Sequence, residues 1–106
     1  MALFYPADGS PRPVLPPNGR TAFTLAELQT FVGGYLEAVG TNLIVMPDGT
    51  PLVLFINEDG KRDPAARVNQ FATVMVRQYL QPDDVIVGDA ILCTLAEAGE
   101  GEDADG

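Results

Sequence analysis

The feature that most constrains this chain is the segment 23–34, FTLAELQTFVGG, because it carries both the start and the stop signals of one short helix. Thr24 and Glu27 have the T-x-x-E spacing of a capping box, which satisfies the first free amides of a helix. Gly33 is the left-handed residue expected just past the helix end. The segment therefore predicts a helix whose apolar stripe consists of Leu25, Leu28, Phe31 and Val32.

Around this helix the chain predicts an α+β domain with one mainly antiparallel sheet of about five or six strands and two helices. Alternating or continuous apolar runs separated by Gly, Pro, Asn and Asp clusters mark the strands. They are expected at residues 2–5, 13–15, 35–39, 42–46, 52–57 and 85–95. Gly88 and Asp89 lie within the last of these runs and predict a bulge or a bend there.

The second helix has two candidate starts. Asp63 before Pro64 suits an N-cap followed by the first helical position, with the helix running toward Leu80. Alternatively, Asn69 is the cap and residues 61–68 form an ordered loop. Its apolar residues fall on one face: Val68, Phe71, Val74, Met75 and Tyr79.

Charge is unevenly placed along the chain. The net charge is −9, and five of the fifteen acids lie in the last ten residues, EAGEGEDADG. Residues 1–96 keep ten acids against six bases, and four of those bases fall within positions 61–77. The last ten residues mix glycine, alanine and carboxylates without apolar periodicity. We expect a single α+β domain over residues 1–96 and a disordered acidic tail over residues 97–106.

Composition argues against most enzymes. The chain has no histidine, and Ser10 is its only serine, which excludes the usual catalytic triads and the commonest zinc ligand. Cys93 is the only cysteine and lies in an apolar run, so we expect an inert thiol in the core. We predict no catalytic residue, no metal and no cofactor. Because no run of 18 apolar residues occurs, a soluble, cytoplasmic protein is expected.

A first set of candidate ligand-binding residues follows the first helix. Gly33 and Gly34 would let a ligand approach the backbone, Tyr35 would stack on a planar ring, and Glu37 would accept a hydrogen bond. The alternative is structural: a helix cap followed by a strand whose tyrosine packs in the core.

A second set lies near the start of the second helix. Arg62, Arg67, Asn69, Gln70 and Thr73 are polar or basic, and a helix N-terminus favours anions such as phosphate. A solvated polar face explains the same residues equally well. Four bases on an acidic body do not favour direct binding to nucleic acid.

The segments FTLAELQTFVGGYLEAV, LFINEDGK, VNQFAT and DDVIVGDAIL occur in this order. Together they resemble a small family of phage and plasmid proteins catalogued as domain of unknown function 3846. The resemblance spans nearly the whole chain to about Leu95, and it implies a fold and a phage or mobile-element context rather than a chemistry. The proline-rich segment 6–20 is longer than in typical members.

Two functional hypotheses lead. The first is a non-catalytic binding module of a phage or mobile element, a counter-defence protein that sequesters a small nucleotide-like host molecule between subunits of a homo-oligomer. The second is a phage inhibitor or adaptor that acts by direct contact with a host protein. An enzyme using carboxylates alone ranks last, because no spacing pairs Glu37 with Asp89.

Overall fold

A computed structural model describes residues 2–99, apart from the side chain of Asn42. Five strands form one antiparallel sheet in the order β2-β1-β5-β4-β3, which confirms the predicted fold class. The strands are β1 (Ala2–Tyr5), β2 (Arg12–Val14), β3 (Leu36–Val45), β4 (Pro51–Asn57) and β5 (Ala90–Thr94). The helices are α1 (Leu25–Val32) and α2 (Gln70–Val76).

One helix covers each face of the sheet. Side chains alternate along each strand, so Ile91 and Cys93 of β5 face α1 while Ala90 and Leu92 face α2. The core beneath α1 contains Ala2, Phe23, Leu28, Val32, Val53, Ile91 and Cys93. The core beneath α2 contains Tyr5, Ile44, Leu54, Ala72, Val76, Ile86, Ala90 and Leu92. The burial of Cys93 confirms that its thiol belongs to the core.

Helix α1 begins and ends as its sequence predicts. The Thr24 hydroxyl accepts a hydrogen bond from the Glu27 amide (3.1 Å), and the Glu27 carboxylate accepts one from the Thr24 amide (2.8 Å). Gly33 ends the helix with φ at 80°. The predicted apolar stripe is wrong at one position, because Leu25 at the first helical residue is 60% exposed.

The two strands predicted at residues 35–39 and 42–46 are one long edge strand, β3. Its pairing with β4 shifts register between Val39 and Ile44, which marks an irregularity of the bulge type. Gly40 lies in this interval with φ at 75°, and a Cβ there would approach the Ile44 Cδ1 to 2.5 Å. Glycine is therefore required for the strand to continue past the bulge.

Helix α2 uses the later of the two predicted caps. The Asn69 side-chain oxygen accepts a hydrogen bond from the Ala72 amide (3.0 Å), and residues 61–68 form the ordered loop of the alternative interpretation. The Asp63 carboxylate does accept the Ala65 amide, as an N-cap would, but only a turn follows it and no α-helix starts there. The chain then extends so that Val68 pairs with Val87. A 3₁₀ turn, Arg77–Tyr79, follows α2.

The last predicted strand is shorter than expected. Regular pairing covers only Ala90–Thr94, because Gly88 (φ 87°) bends the chain as its position predicted. The segment before the bend leaves the sheet and covers the start of α2, where the Ile86 carbonyl accepts the Asn69 amide at 2.7 Å.

The predicted boundary of the acidic tail is too early. Glu97 is only 8% exposed, and its carbonyl accepts a hydrogen bond from the Phe23 amide at 2.7 Å. Its carboxylate accepts the Thr94 amide (2.9 Å) while the Thr94 hydroxyl accepts the Glu97 amide (3.0 Å). The described fold thus includes Glu97, Ala98 and Gly99, and residues 100–106 of the predicted tail lie outside the described residues. No helix within residues 2–99 is long and apolar enough to cross a membrane.

Candidate functional site

The nine predicted ligand-binding residues do not form one site. Gly33, Gly34 and Tyr35 follow α1 on one side of the sheet, whereas Arg62, Arg67, Asn69, Gln70 and Thr73 lie in or before α2, which packs on the other. Glu37 is exposed on the edge strand β3 and pairs with Ile56. The structure therefore places the predicted residues on two separate surfaces of the chain.

The two glycines after α1 have structural roles. Gly33 adopts the left-handed conformation that ends the helix. A Cβ at Gly34 would lie 2.7 Å from the Asn57 side-chain nitrogen. That nitrogen donates to the Val32 carbonyl at the end of α1 (3.4 Å), and the Asn57 oxygen accepts from the Asp59 amide (2.8 Å). Gly34 thus makes room for the side chain that joins α1 to β4.

Tyr35 does not pack in the core, contrary to the structural alternative. Its side chain is 68% exposed, at the rim of an open depression of about 440 Å³. The depression is lined by Ala26, Gln29, Thr30, Gly33, Gly34 and Tyr35. None of these six residues carries a charge. The depression offers an aromatic ring and small side chains to a ligand, but no cation for a phosphate.

Asn69 and Thr73 are buried structural residues rather than ligand contacts. Asn69 is 0% exposed, and its side-chain nitrogen donates to the Tyr5 carbonyl (2.8 Å) and the Gly88 carbonyl (2.9 Å). The Thr73 hydroxyl donates to the Asn69 carbonyl (2.7 Å) and accepts from the Ile86 amide (2.9 Å). Both side chains are saturated by protein groups, so they fix α2 to β1 and to the chain before β5.

The other predicted polar residues are exposed. Arg62 pairs with Asp59 at 3.1 Å, and both side chains are largely in solvent, so this pair contributes little to stability. Arg67 and Gln70 also lie at the surface. Neither residue lines the depression beside Tyr35.

The most unusual surface is the outward face of α2. Phe71, Val74 and Met75 have helical spacing and are 51%, 76% and 36% exposed, and Val68 just before the helix is 45% exposed. We call these four residues the α2 surface. The inward side of the helix instead carries Ala72, Thr73 and Val76. The face that periodicity marks as apolar is therefore the face turned to solvent.

The α2 surface lies in a segment without acids. Residues 64–82 contain two arginines, Arg67 and Arg77, and no aspartate or glutamate, although the whole chain has a net charge of −9. The Arg77 guanidinium donates to the carbonyls of Gln81 (3.2 Å) and Pro82 (3.1 Å). Asp84, just beyond the segment, has its pKa lowered mainly by its hydrogen bond from Lys61, and the charge of Arg77 lowers it further.

A separate apolar groove, distinct from the depression beside Tyr35, also lies beside α1. It has a volume of about 350 Å³ and is lined by Leu15, Pro17, Phe23, Glu27, Thr30 and Phe31. Phe31 stacks at a tilt on Phe4 (ring centroids 5.2 Å apart) and edge-on against Phe23 (5.7 Å). The proline-rich segment thus forms one wall of this groove, a role that the sequence did not predict.

The acidic and cysteine side chains in the described part of the chain have structural surroundings. Residues 2–99 hold no group of three or more cysteine and acidic side chains placed to bind a metal. Asp89 accepts a hydrogen bond from the Ala7 amide (2.8 Å), a structural contact at the bend before β5. Burial raises the pKa of the Cys93 thiol to about 12, which makes it a poor nucleophile.

Comparison with known proteins decides the family. Residues 6–105 match the family described as Domain of unknown function (DUF3846). The chain belongs to the DUF3846 family. The match confirms the resemblance inferred from the sequence and extends it beyond Leu95. No curated protein and no solved structure matches the chain.

Within this DUF3846 chain, the exposed α2 surface was the feature that sequence reasoning missed. Periodicity grouped Phe71, Val74 and Met75 correctly, but it was wrong for Tyr79, which lies in the 3₁₀ turn after α2 and packs against the core beneath that helix. Periodicity also did not say which side of the helix faces the sheet. The signal available was the opposite face: Asn69, Ala72, Thr73 and Val76 combine small volume with polar groups that can be satisfied internally. Such a face packs closely against a sheet and leaves the larger apolar residues outside.

Proposed function

We propose that this protein is a non-catalytic binding module that acts by direct contact with a partner protein through the α2 surface. One observation carries the proposal: Phe71, Val74 and Met75 are exposed on the outward side of α2, and Val68 just before the helix is exposed as well. The solvent face of a surface helix normally carries polar residues, and contiguous exposed apolar patches often mark interaction sites.

The size of the α2 surface suits the centre of an interface. From the exposed fractions, these four side chains present on the order of 300–400 Å² of mostly apolar area. A stable interface buries roughly 800 Å² on each partner, with an apolar centre and a polar rim. Arg67, Gln70 and Gln78 are exposed nearby and would supply the rim.

Site-specific photocrosslinking tests this proposal. A photoreactive residue is placed at Val74 or, as the control, at Leu15, which is 69% exposed but lies on the α1 side. The two chains are expressed in the source organism and irradiated. We expect a discrete protein adduct from Val74 only, and its loss when Phe71→Ser is added. Absence of an adduct at Val74, or the same products from both positions, would contradict the proposal.

Sequestration of a small nucleotide-like molecule is the second candidate, and the exposed ring of Tyr35 beside the small residues of its depression favours it. Native mass spectrometry of protein purified from cells tests it directly. A retained small molecule that is lost on Tyr35→Ala, and kept on Tyr79→Phe, would support this function. A clean apo mass for the unmodified chain would argue against it.

A further inference from the structure

We propose that the partner element at the α2 surface is an amphipathic helix of another protein that carries carboxylates beside its apolar stripe. This inference rests on the proposed function and names the chemistry of its partner. Phe71, Val74 and Met75 follow the i, i+3, i+4 spacing of one helical stripe, so they form a ridge that another helix can pack against.

The charges next to the α2 surface favour a partner that carries acidic residues. Arg67 and Arg77 flank α2, and no acid occurs from residue 64 to residue 82. Among the described residues, no side-chain hydrogen bond or ion pair engages the Arg67 guanidinium, so it is available to a carboxylate. A partner with acids beside its apolar stripe would gain an ion pair at Arg67, and a basic partner would meet repulsion.

A second copy of the chain suits this surface poorly. If two α2 helices packed antiparallel about a two-fold axis, Arg67 of each would approach Arg77 of the other. The chain's own C-terminal residues suit it no better. Residues 100–106, EGEDADG, contain no large apolar side chain. They also follow Ala98, which packs against the core on the α1 side.

A lipid surface is also disfavoured. Binding of an amphipathic helix to anionic lipid needs several basic residues, and here two arginines stand on a chain of net charge −9. The acidic helix is therefore the occupant that matches both the apolar stripe and the charge of this surface.

The experiment uses two synthetic helical peptides with the same leucine stripe, one flanked by glutamates and one by lysines. Each is titrated into the full chain at low salt, and binding is followed by amide NMR shifts. We expect shifts centred on residues 67–78 and binding about twofold to fivefold tighter for the acidic peptide, as one exposed ion pair at Arg67 would give, since the Arg77 guanidinium already donates to the carbonyls of Gln81 and Pro82. Arg67→Glu should reverse the preference, Val74→Ser should weaken both peptides, and the control Leu15→Ser should change neither.

Several outcomes would overturn this inference. They are binding by neither peptide, equal binding of both, self-association in sedimentation that Val74→Ser abolishes, or binding to anionic vesicles that displaces the peptides. The proposed function is tested separately by the photocrosslink. A Val74 adduct with a protein whose contact surface is basic or non-helical would refute the acidic helix while leaving the proposed function intact.

Discussion

Replacing Asn69 with alanine tests how α2 is attached to the sheet. The Asn69 side chain makes three hydrogen bonds: its nitrogen donates to the carbonyls of Tyr5 (2.8 Å) and Gly88 (2.9 Å), and its oxygen accepts from the Ala72 amide (3.0 Å). Because Asn69 is 0% exposed, alanine would leave two carbonyls and one amide without this partner in a buried region.

The expected loss follows from those three groups. A buried polar group left unsatisfied costs about 1–3 kcal/mol, and loss of the N-cap alone costs about 1 kcal/mol. Some relaxation and water entry reduce the sum, so we expect Asn69→Ala to lower the free energy of unfolding by about 3–5 kcal/mol. With a urea dependence of about 2 kcal/mol per molar, the midpoint should fall by about 1.5–2.5 M.

Urea unfolding followed by circular dichroism measures this loss, and Gln70→Ala, at the exposed neighbouring position, is the control. Asn69→Asp separates capping from donation, because aspartate keeps the acceptor for Ala72 but places a buried carboxylate against two carbonyls. Those surroundings should raise its folded-state pKa, so this variant should gain stability as pH falls from 7 toward 4. A loss below about 1 kcal/mol for Asn69→Ala, or a pH-independent Asn69→Asp, would refute the reasoning.

Three further predictions use other contacts. Burial raises the pKa of the Cys93 thiol to about 12, so this thiol should resist alkylation at pH 8 until urea unfolds the chain. Because the thiol ionises more easily in the unfolded chain, the free energy of unfolding should decline above pH 9, and this decline should be absent in Cys93→Ala. Gly34→Ala should cost about 1–3 kcal/mol by displacing the amide side chain 2.7 Å away, whereas Gly9→Ala, with its nearest atom at 3.6 Å, should be nearly neutral in thermal melts. A chain ending at Ala96 should unfold at lower urea than one ending at Gly99, because it loses the hydrogen bonds to Thr94 and Phe23, and equal midpoints would contradict this.

Local sequence signals predicted the start and the end of a helix correctly where no distant contact competed with them. Helix α1 begins at its capping box and ends at Gly33 as predicted, since both devices act within one turn of chain. The same tetrapeptide, TLAE, recurs at residues 94–97 and forms the same reciprocal hydrogen bonds. This repeat was the available signal that Glu97 belongs to the fold rather than to the tail.

The start of α2 required information that local sequence does not contain. Asp63 and Asn69 are both competent caps, but Asn69 also binds carbonyls at Tyr5 and Gly88, which lie 64 and 19 positions away along the chain. Only the folded arrangement of β1 and the bend before β5 creates those acceptors. For the same reason, the sequence could nominate Asn69 as a polar functional residue but could not show that it is saturated internally.

A final prediction concerns the two sides of α2, of which the inward side attaches the helix to the fold and the outward side exposes apolar residues. Asn69 and Thr73 hold the helix by buried hydrogen bonds, and Val76 is 0% exposed, so the folded state depends on this inward side. Val76→Ala should cost about 1–3 kcal/mol.

In contrast, Val74→Ser changes a side chain that is 76% exposed and should alter the free energy of unfolding by no more than about 0.5 kcal/mol. If urea unfolding showed a large loss for Val74→Ser, the outward residues would contribute to folding, and their exposure would need no partner to explain it. A small loss, together with loss of the Val74-dependent partner contact, would mean that the apolar residues are retained for binding.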